Sequence, residues 1–263
     1  MDVFYGPEAV EMVEAYKLLE QGARFFEDGW DRVVSKERGQ TYGSSHGPFP
    51  YDRHDQTLSM PQLPEGNAVR VEPTFAKKYR QRIDGAWKQK KHNDRLVATL
   101  MSNLSRVERN SYNIEVLLSL ARLERYFVDM LTAMEQAENS LVAASDADVE
   151  GKHAAAVGHL VTASNIVASL LEQESAMWSN LVAAWEKSRY PKNRTVDGRE
   201  FFHVQDDVKD HFADRRKGLD YMMAPFQRMD IPGWRQGLAN FIDSYAASHD
   251  VPVQGLAVPR LED

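Results

Sequence analysis

The densest gathering of groups able to do chemistry lies between His203 and Arg216. Four aspartates and two histidines crowd that stretch. Read as a helix, it places Asp207, His211 and Asp214 on one face, with His203 joining from the turn before it. A carboxylate and an imidazole four residues apart could bind a divalent metal, or serve as a general acid and its orienting partner. A simpler account competes. Asp206 and Asp207 suit a helix N-terminus, and Arg215 and Arg216 suit the C-terminal end, with Asp210 and Asp214 the remaining carboxylates of the run. That account is the expectation, so no metal, cofactor or catalytic residue is assigned.

A second candidate is the loop that carries Tyr42, His46, Phe49, Tyr51, Asp52, Arg53, His54 and Asp55. Flat rings stack on sugar faces, while carboxylates and guanidinium groups take hydroxyls, so the mixture suits a polyol. The alternative is that Phe49 and Tyr51 pin the loop to the core while Asp52 and Arg53 satisfy its backbone. Glu174 interrupts an apolar stripe between Leu171 and Trp178, where a carboxylate needs a partner. An arginine from a neighbouring helix is the expected one. Glu150 and His153 have the Glu-x-x-His spacing of di-iron bundles, but a single copy beside Gly151 does not make such a site.

Lys77, Lys78, Arg80, Arg82, Lys88, Lys90, Lys91 and Arg95 form a basic run without interleaved aromatic platforms, which reads as a solvated helix face. The net charge of −7 also argues against nucleic acid as the main partner. No phosphate loop, nucleophile elbow, zinc-protease motif or dinucleotide fingerprint occurs in the chain. Zero cysteines remove disulfides and thiolate chemistry.

The elements that must position these groups are helices. From Val116 to Leu141, apolar residues recur in steps of four and three: Val116, Leu120, Leu123, Phe127, Met130, Met134, Ala137 and Leu141. That is the stripe of a long packed helix. The pattern predicts further helices at about 7–34, 74–109 with a kink near Gly85, 112–145, 149–188, 206–216 and 232–248. Pro7 is expected to open the first, with Val10, Val13, Leu18, Ala23, Phe26, Trp30 and Val33 inward. Asp146 and Asp148 are expected to cap the fourth of them, 149–188. Residues 39–73 are turn-rich and expected to be functional or to wrap the core. Asp197-Gly198 predicts a turn, and Pro252 and Pro259 an extended tail.

The expected fold is therefore all-α: an up-and-down bundle of long helices over 1–190, including the loop 39–73, with a smaller helical subdomain and tail over 191–263 packed on it. Hydrophobic residues at 43% supply a sizeable core. No continuous apolar run approaches the roughly 18–20 residues of a bilayer span. The start, Met1 to Tyr5, lacks the basic and apolar regions of a secretory signal. The expectation is a cytosolic chain or a piece of a longer protein.

Three blocks carry a resemblance. They are Phe4-Tyr5-Gly6-Pro7-Glu8-Ala9; Arg38 to Ser45 with Asp55-Gln56-Thr57-Leu58; and Tyr190-Pro191-Lys192 with His203 to Arg215. They resemble the helical region that follows the catalytic barrel in large bacterial hexosaminidase-like glycoside hydrolases. The resemblance implies a noncatalytic accessory helical module that braces the barrel, forms a dimer contact or lends a loop to the sugar site. Its implied partners are a barrel domain of the same longer protein, a second copy, or a glycan. It also implies a periplasmic or extracellular setting if the enzyme is secreted. No catalytic residue carries over, because such enzymes place theirs on barrel strands.

Overall fold

Backbone that only special residues tolerate decides where the first long helix begins. Gly6 at φ 98 ends a short helix α1 (Asp2–Tyr5), and Glu11 at φ 53 directly precedes α2 (Met12–Asp28). The helix therefore starts five residues after Pro7, and the predicted inward face is shifted. Met12, Ala15 and Leu18 are buried, whereas Val10 and Val13 are 39% and 54% exposed and Ala23 also faces out. Trp30 and Val33 lie outside the described residues. The computed structural model describes residues 1–28, 58–187, 195–196, 198–200 and 229–257.

Three long helices follow: α3 (Thr74–Leu104), α4 (Ser111–Val149) and α5 (His153–Glu186), with α6 (Ile231–Ser248) closing the described chain. The fold is all-α, as the periodicity requires. Among the described residues the only strand pairing is β1 (Thr195–Val196) against β2 (Arg199–Glu200), turning at Gly198 with φ 75.

Three boundaries differ from expectation. The kink in α3 falls at Tyr79 (φ −109, ψ 17), not Gly85. The Tyr79 hydroxyl accepts the Ser59 N–H at 2.7 Å, tying this turn to the chain before it. Gly85 stays helical and instead lets α2 approach, since a Cβ there would sit 3.0 Å from the Phe25 ring. At the other end, α3 stops at Leu104, short of Arg109, while Asn110 (φ 57) marks the predicted break before α4. Finally, α4 runs on to Val149, and the break comes at Glu150–Lys152, where Gly151 adopts φ 70. A left-handed glycine just past a helix end is a strong stop signal. Asp146 and Asp148 thus belong to the last turn of α4 and do not cap α5.

Helix α4 is the axis of the molecule, packed against α2, α3 and α5, while α6 packs on α5. Phe127, Met130, Met134, Ala137 and Leu141 are fully buried, but Leu120 is 38% exposed. Near its start, burial rotates to Ile114, Leu118 and Ala121, which meet Met12, Ala15, Leu96 and Leu100 in a second cluster. The main core joins α3, α4 and α5 to Ile231, Trp234, Leu238, Ile242 and Tyr245 of α6.

The described part of the predicted loop, 58–73, is an ordered strap over this core. Leu58, Val69 and Val71 are buried along it, and the Trp234 indole donates to the Pro61 carbonyl at 2.8 Å. Trp234→Phe should cost about 1–2 kcal/mol in urea unfolding, because it leaves that buried carbonyl unpaired. The tail is extended as predicted. Asn165 receives the Ala257 N–H at 2.9 Å and donates to the Gly255 carbonyl at 2.7 Å.

Much of the basic run on α3 is paired as well as solvated. Arg80 reaches Glu135 at 2.7 Å, and Lys90 reaches Asp129 at 2.9 Å. One expectation needs amendment. Although no continuous apolar run exists, the segment His153–Trp185 is long and apolar enough to cross a membrane by length and composition. Half of that window is buried inside the protein, as in the core helix of a bundle.

Candidate functional site

Four elements converge where α4 ends, the strap, α4, α5 and α6, and each brings polar groups. The Asp148 side chain, 6% exposed, receives the Val69 N–H at 3.0 Å and the Arg70 guanidinium at 2.9 Å on Oδ2. Its Oδ1 receives the Tyr245 hydroxyl from α6 at 2.5 Å. Burial opposes the charge on Asp148, yet Tyr245, Val69 and Arg70 together hold its carboxyl below the usual range. Burial, reinforced by Asp148, pushes the Tyr245 hydroxyl well above its ordinary value.

Two histidines complete the junction. His153 opens α5, and its Nδ1 lies 2.9 Å from the Tyr245 hydroxyl and 3.4 Å from Asp148 Oδ1. His249 follows α6, with its Nδ1 2.9 Å from the Tyr245 carbonyl and 2.9 Å from the Ser248 hydroxyl. The imidazole rings lie 3.9 Å apart at 33°. Hydrogen-bond logic makes each Nδ1 a donor. Tyr245 spends its proton on Asp148, so its oxygen accepts from His153 Nδ1–H; a carbonyl can only accept, so His249 Nδ1 also carries a proton.

The sequence singled out Asp148 only as a cap and set His153 aside as an incomplete iron motif. It left His249 unmarked. No local spacing joins residues about a hundred positions apart; the usable hint is that Asp148, His153 and His249 all sit at helix ends.

A second feature is the groove between α4 and α5. Its larger part, about 560 Å³, is lined by Arg122, Arg125, Tyr126, Asp129, Met177 and Asn180 among others. A neighbouring 240 Å³ hollow shares Arg122 and Asn180. Arg125 is engaged by Asp129 at 2.7 Å and by Asp94. Asn180 Oδ1 is buried without a hydrogen-bond partner among the described residues. Next to the groove, Glu174 corrects the expected arginine pairing: the Tyr126 hydroxyl donates to its Oε2 at 3.0 Å. Burial raises the Glu174 carboxyl above its ordinary range, against the opposing hydrogen bonds of Tyr126 and Trp178. A neutral donor suffices because the site already disfavours charge.

The loop candidates Tyr42 to Asp55 and the polar cluster His203 to Arg215 lie outside the described residues. What the structure brings together instead is the junction of Asp148, His153, Tyr245 and His249. No family model, curated protein or solved structure matches the chain.

Proposed function

We propose that this chain is a noncatalytic helical module of a carbohydrate-active enzyme of the hexosaminidase-like glycoside hydrolase type. One observation carries the reading: the blocks at 4–9, 38–45 with 55–58, and 190–192 with 203–215 resemble the region after the barrel of such enzymes. Two features of the fold support it. Helices and the strap form the described core, where a sugar-cleaving barrel would need eight parallel strands. The C-terminal part of α5 also offers a partly apolar flank, with Val182 and Trp185 49% and 59% exposed beside the groove. Such a flank suits a bracing contact with another domain.

The reading frame upstream of the Met1 codon tests the proposal directly. An in-frame (β/α)8 barrel is the expected finding. The encoded long protein should hydrolyse an aryl N-acetylhexosaminide, while residues 1–263 alone should not. A stop codon and a barrel-free neighbourhood upstream would sink the assignment.

A further inference from the structure

We propose that Asp148, His153 and His249 bind one divalent transition-metal ion, zinc being the best match to the donor set. The inference stands apart from the carbohydrate reading and rests on three observations. One ligand atom from each residue already lies within 4.8 Å of the others. A tetrahedral zinc ion with bonds of about 2.0–2.1 Å holds its ligands roughly 3.3 Å apart. Closing that difference takes small side-chain rotations at helix ends, where His153 begins α5 and His249 follows α6.

The second observation is the orientation of the donors. His153 Nδ1 faces the carboxylate, 3.4 Å from Asp148 Oδ1, which is close to the ligand spacing around a bound zinc ion. The His249 ring lies 3.9 Å from the His153 ring, which brings a second imidazole to the same carboxylate. The third is the support around them. Val69, Arg70 and Tyr245 hold the Asp148 carboxyl in place, and Ser248 steadies His249.

Two imidazole nitrogens and one carboxylate oxygen favour zinc, nickel or copper over magnesium or calcium, which take oxygen ligands. Three protein ligands leave a fourth position for water. The Asp148 side chain is nearly buried but the His153 side chain is 35% exposed, so an ion enters from the His153 side. Bound there, it would join the strap, α4, α5 and α6 at a single point.

Chelator-stripped protein titrated with Zn²⁺ in a calorimeter tests the site. One equivalent should bind, with affinity lowered at least tenfold in His153→Ala and in His249→Ala. His159→Ala, an exposed control on α5, and the paired His203→Ala/His211→Ala variant should bind as the parent does. Circular dichroism verifies that each variant is folded. Should a variant fail to fold, long-range ¹H–¹⁵N spectra of the unaltered protein decide the matter: Zn²⁺ should shift one ring-nitrogen resonance in each of two histidines. Absence of stoichiometric binding, survival of binding in both single variants, or loss in the His203/His211 variant alone would overturn the proposal.

Discussion

Glu138→Ala is expected to lower the stability of the fold by about 3–4 kcal/mol, most of it from two backbone N–H groups at the start of α3. Glu138 is fully buried on α4, and its two oxygens accept the N–H groups of Phe75 and Ala76, each at 2.7 Å. The first N–H groups of any helix lack internal partners. Pro73, at the N-cap position of α3, makes no side-chain cap. A neighbouring helix therefore supplies the cap through space, and the carboxyl also meets the positive end of the α3 dipole. Alanine has the better helix propensity, so any loss measured is not a defect of α4 itself. Glu138→Gln keeps one acceptor and turns an amide N–H₂ towards the other donor, so about 2 kcal/mol should be lost. For a protein of this size, 1 kcal/mol moves the melting temperature by roughly 2–4 °C, which puts Glu138→Ala about 6–16 °C below the parent. A shift under 2 °C would mean that water replaces the carboxyl at the α3 terminus.

That cap shows where sequence reading stops. Helices α3 to α6 are legible because their apolar residues recur every three or four positions, a property of one segment. Pro73-Thr74, Asn110-Ser111 and Pro232 mark their starts by local chemistry. Errors arise where the deciding partner is distant in sequence. Gly85 invited a kink, but the kink follows Tyr79, which is held by Ser59. Asp148 has the look of a cap and instead receives Val69, Arg70 and Tyr245. Glu174 calls for a partner, and nothing local distinguishes an arginine from the Tyr126 hydroxyl. The junction histidines were illegible for the same reason, because α5 and α6 must pack before His153 and His249 meet. The Leu120 miss has another origin: α4 meets different neighbours along its length, so no single stripe describes its buried face.

Raising the pH from 5 to 8 is expected to weaken the protein through Glu124, and Glu124→Gln should abolish that contribution. Glu124 lies between α4 and α2, 7% exposed, with Oε2 lacking a hydrogen-bond partner among the described residues. A Cβ on Gly22 would fall 2.1 Å from that oxygen, so the glycine makes the notch that holds the carboxyl. Burial pushes the Glu124 pKa up from 4.5 to about 8. The folded state therefore keeps a proton that the unfolded chain has released between these two values. It binds more protons across that window, so stability falls as pH rises, by about 1.4 kcal/mol per unit. The accumulated loss is on the order of 4 kcal/mol by pH 8 and levels off beyond it. Glutamine copies the neutral acid in shape, so Glu124→Gln should match the parent within about 1 kcal/mol at pH 5 and exceed it increasingly towards pH 8. Other titrating groups act equally in both proteins and cancel in the difference. Urea midpoints at half-unit pH steps provide the measurement, and parallel profiles would refute a neutral buried Glu124. Gly22→Ala gives an independent check. It should be strongly destabilising in the parent and much less so beside Glu124→Ala, where the obstructing carboxyl is gone, because residues in direct contact do not contribute additively.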